Sequence, residues 1–477
     1  MPLTLFTIFL SYKEVNMKKS MLLVPVLVMS LLLAACGNGT SADSGNSGNS
    51  NTNTGNAGSA TEGKADNSGK TGSSEAISVN IWDNNQLAGL QKIADEWTET
   101  SGIPVNINVV EWDSYWTLLE AGASGGEIPD VFWMHSNTAQ MYMENDILLA
   151  LDDYIAADDS INLDDYYPGI TELYSSGGKQ YALPKDHDTI ALLYNQEIFD
   201  RYNVEAPTDD WSWDDVYEAA SKITEAGKAD GIYGYAADTS NDQDFWYNLI
   251  YGYGGFLVDT DHKTVGIGKD EAKAGMEMVR KILTVSTPQT IVTETGTDSL
   301  FQSNLCAMIS QGSWMINAFY TAEGAANYKW AELPYCDVNG NKTCDEGERV
   351  SAYNGLGWAA AANTKNPDAA YSLIAYFCSK EGQTKQAELG ITMAGMPGVS
   401  EAFAGAFEGM DVSAFIKVEE NGTLFFRPYS RNSIAWSQPI TQAGALLDAW
   451  QNPEDPAVMA TACDNAARIM EQAIANE

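Results

Sequence analysis

Residues 76–116 read AISVNIWDNNQLAGLQKIADEWTETSGIPVNINVVEWDSYW, and the period of their apolar positions changes twice. From Ile77 to Ile81, apolar and polar residues alternate as in a half-buried strand. Apolar residues then recur every three or four positions from Leu87 to Trp97, which predicts a helix, and a second alternation follows from Val105 to Val109. Strands that alternate with helices are typical of an α/β domain with a mostly parallel sheet.

Ligands of such sheets bind at the carboxyl ends of the strands, so the polar and aromatic residues directly after each strand are candidate ligand-binding residues. The residues in these positions are, in chain order, Trp82, Asp83, Asn84, Glu111, Trp112, His135 and Asn137, of which His135 is expected to be structural. All of them are expected at one rim of the sheet.

Length and charge exclude several classes of protein. The 477 residues suffice for about two packed domains with appendages. The 26 basic and 65 acidic residues give a formal charge of -39, so a nucleic-acid partner, which requires a basic face, is not expected. The chain has three histidines and no HExxH motif. Acidic residues alone do not indicate a glycosidase, because so many carboxylates always include a suitably spaced pair.

The first 75 residues have the pattern of an export and anchoring segment. The apolar run Met21–Ala35 follows a basic pair and is too short to span a membrane. With Cys36 it resembles the bacterial lipobox, which implies a signal peptide over residues 1–35 and a lipidated Cys36. Met17 is the better candidate for the true start. The alternative is cleavage after Ala35 beside a stray cysteine. Residues 36–75 are then a disordered tether, since almost all are small or polar.

A loop between two cysteines offers a candidate metal site. Cys336 and Cys344 are close enough to form a disulfide, while the other three cysteines of the body, Cys306, Cys378 and Cys463, lie in apolar contexts and are expected in the core. Oxygen donors between and after the pair have the spacing of a calcium loop. They are Asp337, Asn339, Asn341, Thr343, Asp345 and Glu348. Lys342 replaces the usual glycine, so a structural calcium ion and a disulfide-clipped acidic loop remain alternatives. No other cofactor is expected to be required.

Tryptophans next to polar residues suggest a carbohydrate site, because a sugar ring has apolar faces and a girdle of hydroxyls. Each could equally be a core residue. The candidates beyond Trp82 and Trp112 are Trp246, Trp314, Trp358 and Trp436.

Seven short motifs follow one another in a specific order. They are Trp112–Trp116 (WDSYW), Gly126–Phe132 (GEIPDVF), Tyr181–Lys185 (YALPK), Tyr194–Asn195, Gly312–Trp314 (GSW), Tyr353–Trp358 (YNGLGW) and Asn366–Ala370 (NPDAA). Together with the lipobox they resemble the sugar-specific extracellular solute-binding proteins of ABC transporters, the family of maltose-binding protein. The resemblance covers nearly all of residues 76–477.

That resemblance implies an α/β, two-lobe periplasmic-binding-protein-like fold, with crossing hinge strands and a ligand cleft between the lobes. The chain would cross first at Lys185–Asp188, return near Cys306–Ser310 and cross again near Leu333–Val350. The implied parts are 76–186 with about 304–333 as N-terminal lobe, 187–303 with about 350–477 as C-terminal lobe with a late helical region, and 334–349 as an insertion loop.

The resemblance also assigns ligand contacts. Asp186 and His187 match the hinge contact segment, Trp314 matches an aromatic platform, and Trp436 matches an aromatic residue of the late helical region. Asn354 and Arg427 are weaker matches. His187 could instead be a satisfied hinge histidine, and Arg427 could pair with an acidic sugar or with a neighbouring aspartate.

The function implied is that of a binding lipoprotein, not an enzyme. It would capture a carbohydrate, expected to be an oligosaccharide, and deliver it to an ABC permease. It would act as a monomer, lipid-anchored at the extracytoplasmic face of the cell membrane. The alternatives are a surface glycoside hydrolase or lyase and a receptor of the same fold for a non-sugar solute such as a polyamine.

Overall fold

The computed structural model describes residues 75–442 and 444–477. Strands and helices alternate from the start of this part. The strands are β1 (Ile77–Ile81), β2 (Val105–Val109), β3 (Val131–Met134), β4 (Ser175–Ser176), β5 (Lys179–Gln180), β6 (Ala182–Pro184), β7 (Ile190–Asn195), β8 (Met308–Gly312), β9 (Tyr328–Glu332), β10 (Val350–Tyr353), β11 (Gly357–Ala360) and β12 (Thr423–Phe426). The α-helices are α1 (Asn84–Ser101), α2 (Trp112–Gly125), α3 (Ser136–Glu144), α4 (Asp152–Ile155), α5 (Gln196–Tyr202), α6 (Trp213–Gly227), α7 (Trp246–Gly252), α8 (Asp270–Thr284), α9 (Gln289–Thr295), α10 (Thr297–Gln302), α11 (Ile316–Tyr320), α12 (Pro367–Cys378), α13 (Lys380–Glu388), α14 (Ser400–Gly405), α15 (Ala414–Asn421), α16 (Ile434–Thr441), α17 (Ala445–Gln451) and α18 (Pro456–Ala475).

The first lobe is built on a five-stranded sheet in the order β2-β1-β3-β11-β6. β1 pairs in parallel with β2 and β3, whereas β11 runs antiparallel to β3 and β6. Successive residues of a strand point to opposite faces. Val131 and Trp133 therefore pack with α1 and α12 on one face, and Phe132 and Met134 pack with α2 and α3 on the other.

The second lobe is built on a three-stranded antiparallel sheet in the order β8-β7-β9. Its central strand contributes to two apolar cores. Ile190 and Leu192 pack among residues of α6, α7 and α8, while Ala191 and Leu193 belong to the core that continues into the first lobe. The α/β prediction is confirmed in both lobes.

Strand pairing corrects the predicted lobe boundaries. Segment 304–333 is predicted above in the N-terminal lobe, but its strands β8 and β9 both pair with β7 of the second lobe. Segment 350–477 is predicted as entirely C-terminal, but β11 completes the first sheet, and α12 and α13 pack against α1. The boundaries implied by the resemblance are wrong for both segments, because the order of motifs along a chain does not determine which strands pair.

Two segments cross between the lobes side by side. The Lys185 amide donates to the Leu356 carbonyl and the Asp188 amide to the Asn354 carbonyl, both at 2.7 Å. The first crossing lies at the predicted position, between β6 and β7. The second lies at 354–356 and not at Leu333–Val350, because β10 still pairs with β12 and packs against α7 in the second lobe. The two-lobe fold with crossing segments is confirmed.

The export and anchoring predictions lie outside the described residues. These are the signal peptide 1–35, the start at Met17, Cys36 and all of the tether 36–75 except its last residue. Among the residues that the structure does describe, we find no helix with the length and apolar character needed to cross a membrane.

Candidate functional site

An aromatic cluster lies where β1 and β3 end. From the ring centroid of Trp82, the other centroids lie at 5.1 Å for Trp112, 5.0 Å for Tyr115, 5.9 Å for Trp116 and 4.9 Å for Trp133. Trp112 is 39% exposed, and its ring also meets the His135 ring at 5.7 Å. Trp82 and Trp112, both predicted ligand-binding residues, thus form a partly exposed rim that offers flat apolar surface.

The predicted polar residues of this rim begin the helices that follow β1 and β2. Asp83 caps α1, because its carboxylate accepts hydrogen bonds from the Asn85 amide at 2.8 Å and from Gln86 Nε2 at 3.1 Å. Asn84 is exposed at the start of α1. Glu111 is exposed before α2, and its carboxylate accepts from the Ser114 amide at 3.4 Å. These groups line the rim, with part of their hydrogen-bonding capacity used by the helix termini.

His135 and Asn354 join the first lobe to the crossing. Ser136 Oγ donates to Asn354 Oδ1 at 2.8 Å, and Asn354 Nδ2 lies 3.5 Å from His135 Nε2. His135 caps α3 by accepting from the Asn137 amide at 3.3 Å. Burial, and secondarily the positive charge of Arg427, lowers the pKa of His135 to about 3. A neutral imidazole therefore stands between Trp112 and the second lobe at physiological pH.

Arg427 directly follows β12, on the second-lobe wall of the cleft, and forms an ion pair with Asp242. Arg427 Nη2 lies 2.8 Å and 2.9 Å from the two carboxylate oxygens, and Nε lies 3.2 Å from one of them. The guanidinium carbon also lies 5.9 Å from the ring centroid of Tyr247. Of the two sequence alternatives for Arg427, the structure shows the neighbouring aspartate.

A second aspartate of this wall is buried with part of its carboxyl group unpaired. Asp244 is 3% exposed, its Oδ2 accepts from Asn241 Nδ2 at 2.6 Å, and its Oδ1 is buried without a hydrogen-bond partner. Burial, followed by the charges of nearby aspartates including Asp238 and Asp298, raises the pKa of Asp244 well above its usual value. No sequence pattern points to Asp242 or Asp244, because neither follows a predicted strand or lies in a motif of the resemblance.

Trp314 lies where β8 ends, close to the crossing. The preceding Ser313 donates through Oγ to Asp188 Oδ1 at 2.8 Å. The Trp314 ring lies over Gly312, where a Cβ atom would stand only 2.0 Å from the ring, so only glycine fits beneath it. Burial and then the charge of Asp186 raise the pKa of Asp188 to about 7. Trp314 is half-buried and packs against the core of the second lobe, so its role as a platform stays a prediction.

Asp186 is a structural residue of the crossing. Its carboxylate pairs with Lys185 Nζ and accepts from the Leu356 amide at 2.7 Å and from Thr392 Oγ1 at 3.0 Å. Only 1% of Asp186 is exposed. Its predicted role as a ligand contact is therefore wrong, because its acceptors hold the two crossing segments together.

His187 is likewise internal. One ring nitrogen contacts the carbonyl of Ala394 and the other contacts the carboxylate of Glu419, to which Tyr167 also donates at 3.2 Å. Burial alone would lower the pKa of His187, but Glu419 and the Ala394 carbonyl outweigh it and raise the pKa. His187 is fully buried, so the satisfied hinge histidine is the correct alternative.

Three predicted aromatic platforms are core residues. Trp246, Trp358 and Trp436 are 0%, 0% and 1% exposed. Trp358 stacks on Phe377 at 4.8 Å, and Trp436 donates through Nε1 to Ser430 Oγ at 2.9 Å. Their ligand-binding assignment is wrong, because a tryptophan beside a polar residue in the sequence can still direct its ring into the core.

The cysteines of the insertion are free thiols, which contradicts the predicted disulfide. Cys336 is buried against Gly252 of α7, whereas Cys344 is exposed on the loop. The other three cysteines of the body are buried, as predicted.

The predicted calcium donors bond to their own loop. Lys342 adopts a left-handed conformation with φ 59°, and its amide donates to Asp337 Oδ2 at 3.1 Å. Glu348 accepts from the amides of Val338 at 3.1 Å and Asp345 at 3.0 Å. The described residues contain no group of three or more His, Cys, Asp or Glu side chains that could hold a metal ion. Calcium binding stays a prediction.

With this geometry in place, the chain can be compared with known proteins. Residues 82–384 match the model of the bacterial extracellular solute-binding protein family. This chain belongs to that family, as its motifs implied.

Relatives share limited identity over most of the chain. A maltooligosaccharide ABC transporter solute-binding lipoprotein of Streptococcus pneumoniae is 22% identical over 77% of this chain and 78% of its own. A maltotriose-binding protein of Pyrococcus abyssi is 24% identical over 68% of this chain and 67% of its own.

Solved structures show the same fold. An ABC substrate-binding protein of Listeria monocytogenes in complex with cycloalternan superposes with a TM-score of 0.71 and 18% identity, covering 83% of this chain and 98% of its own. The GacH receptor of Streptomyces glaucescens, solved with acarbose, has a TM-score of 0.70 and 22% identity, over 84% and 99% of the two chains.

Proposed function

We propose that this protein is the oligosaccharide receptor of an ABC importer, which it serves by closing its two lobes around the ligand. The observation that carries the proposal is the partly exposed Trp82–Trp112 rim, which lies beside His135 and, through it, near the Arg427–Asp242 pair of the second lobe. Aromatic faces pack against sugar rings, while carboxylates, amides and Arg bond hydroxyls. Relatives named for maltooligosaccharides and maltotriose support this ligand class.

A neutral sugar fits this cleft better than an acidic one. The guanidinium of Arg427 is already held by both oxygens of Asp242, and Lys185 is buried against Asp186. The nearby Asp188 and Asp244 add carboxyl groups and no positive charge. A uronide would therefore bring a carboxylate into a cleft whose cations are paired, at a cost in desolvation and repulsion.

The receptor performs no reaction on its ligand. The family consists of solute-binding proteins, and affinity for a closed state suffices for capture and release. The partner that follows from this role is the membrane permease of the importer, which would accept the loaded monomer.

The protein acts at the outer face of the cell membrane, anchored through Cys36. The lipobox-like end of its apolar run supports this, as does the lipoprotein name of the streptococcal relative. Incorporation of labelled fatty acid in the wild type and its loss in Cys36→Ala would test the anchor. Equal labelling of both proteins would refute it.

The decisive experiment measures thermal unfolding with mono- and oligosaccharides, uronides and polyamines, while product formation is followed in the same samples. A ligand at 100 times its dissociation constant stabilises the fold by about 2.7 kcal/mol. We expect a shift with one class of neutral oligosaccharide, reduced in Trp112→Ala and kept in Trp211→Ala, whose half-buried ring lies in the second lobe. A shift with polyamines alone would replace the sugar ligand, and sugar consumption would make the protein an enzyme.

A further inference from the structure

A second cavity lies between the lobes, beyond the aromatic rim. Its volume is about 350 Å³, within the range of small-molecule sites. The first lobe contributes Gln140, Glu172 and Ser175, and the second contributes His262, Tyr429 and Arg431. Both walls therefore belong to the elements that lobe closure brings together.

The second-lobe wall carries a stacked pair of rings. The centroids of His262 and Tyr429 lie 4.1 Å apart with the planes at 29°, and His262 Nδ1 lies 3.3 Å from the Tyr429 carbonyl. A tight turn holds the histidine at φ 58°, where non-glycine residues are uncommon. Asp261 secures the turn by accepting from the amides of Lys263 and Thr264 at 2.8 Å and 2.7 Å. Each ring of the stacked pair covers one face of the other, so the surface that the pair offers to a ligand is the outer face of the stack.

Polar groups surround this surface. Gln140 extends its amide from α3 and donates to the Ser175 carbonyl at 3.4 Å. Burial, followed by the charge of exposed Glu172, raises the pKa of Tyr429, so the carboxylate lies near the phenol. Arg431 closes the far side by pairing with Glu144 of α3 at 2.6 Å. A flat aromatic face flanked by an amide and a carboxylate suits the apolar face and hydroxyl edge of a sugar ring.

The cavity continues the cleft along one helix. His135 and Ser136 begin α3 at the cleft, Gln140 follows one turn later at about 6 Å, and Glu144 two turns later at about 12 Å. On the opposite wall, Tyr429 lies two residues after Arg427, so the two residues are at most about 7 Å apart along the chain. This spacing is similar to the distance from Ser136 to Gln140 on α3. The same two elements thus line both sites.

We propose that this cavity is a second sugar subsite, in which the His262–Tyr429 pair holds a distal unit of an oligosaccharide whose first units lie on Trp82 and Trp112. The inference rests on the receptor function proposed above and deepens it. The ligand must be long enough to follow α3 from Ser136 to Gln140. Because a unit in the cavity contacts both lobes, longer ligands hold the lobes together more strongly than shorter ones.

Calorimetric titration with the series from maltose to maltoheptaose tests the subsite. The variants are Tyr429→Ala and His262→Asn, the latter because asparagine tolerates the left-handed conformation. Tyr376→Ala is the matched control, since this half-buried tyrosine lies on the outer face of the first lobe beside Lys385 and Glu96. Circular dichroism verifies the fold of each variant.

We expect both cavity variants to bind maltose as the wild type does and the longest chains about three- to tenfold more weakly, as loss of one aromatic contact predicts. The control should match the wild type at every length. Equal weakening at all lengths, or none at the longest, would overturn the subsite and leave the receptor function standing. Failure of the wild type to bind any chain of the series would count against both.

Discussion

Lowering the pH from 8 to 5 should destabilise the fold, because His135 is protonated in the unfolded chain but not in the native protein. The pKa of His135 is about 3 in the native protein, because the ring is buried and Arg427 is close, against about 6.5 for an unfolded chain. The unfolded state therefore binds more protons than the native state throughout this interval. Stability from this group is complete above the unfolded pKa and falls as the pH drops through 6.5 towards 3.

The size of the effect follows from the two pKa values. At pH 5 the unfolded histidine is almost fully protonated while the native one is neutral, which lowers the free energy of unfolding by about 2 kcal/mol relative to pH 8. His135→Asn removes the titrating ring but keeps a side-chain oxygen able to cap α3. The variant should therefore lose about 2 kcal/mol less than the wild type over the same interval.

Urea unfolding of both proteins at pH 8 and pH 5 measures this difference, with pH 8 as the internal control because His135 is neutral there in both states. The native His135 resonance in an NMR titration gives a second readout. The reasoning would be refuted if the free energies of unfolding of wild type and variant differed by the same amount at both pH values. It would also be refuted if the native His135 resonance titrated near pH 6.5.

Three further outcomes follow from the site and the loop. Trp112→Ala should weaken sugar binding and change the free energy of unfolding by less than about 1 kcal/mol. Trp358→Ala, in the core, should lower the free energy of unfolding in urea by about 3–5 kcal/mol. Unchanged sugar affinity in Trp112→Ala would contradict the site. Cys344 should react with a thiol reagent in the native protein and Cys336 only after unfolding, so protection of both until reduction would reveal a disulfide. Millimolar calcium should raise the melting temperature of EDTA-treated protein but not of Asp337→Asn, and an unmoved wild type would end the calcium prediction.

Local elements could be predicted because their signals are local. The alternation from Ile77 to Ile81 is a strand, and the recurrence of apolar residues from Leu87 to Trp97 lies in the helix α1. The partner of a strand is decided by contacts between residues far apart in the sequence. That is why the resemblance places β8 and β11 in the wrong lobes.

The candidate site was predictable where it depends on strand ends. Trp82 and Trp112 follow β1 and β2 and lie together, whereas Trp246 and Trp358 have similar sequence surroundings and are buried. The direction of a ring depends on the tertiary packing, which a single sequence does not contain. The Asp242–Arg427 pair joins two loops 185 residues apart, a separation that no motif bridges.

The two-sided strand β7 determines how the protein must unfold. Its even-numbered side chains, including Ile190 and Leu192, anchor one core, and its odd-numbered ones, including Ala191 and Leu193, anchor the other. If either lobe unfolds, β7 loses apolar contacts on one of its faces. The other lobe is destabilised as well, because its core also depends on β7. Heating should therefore produce a single cooperative transition, and damage to either lobe should be felt throughout the molecule.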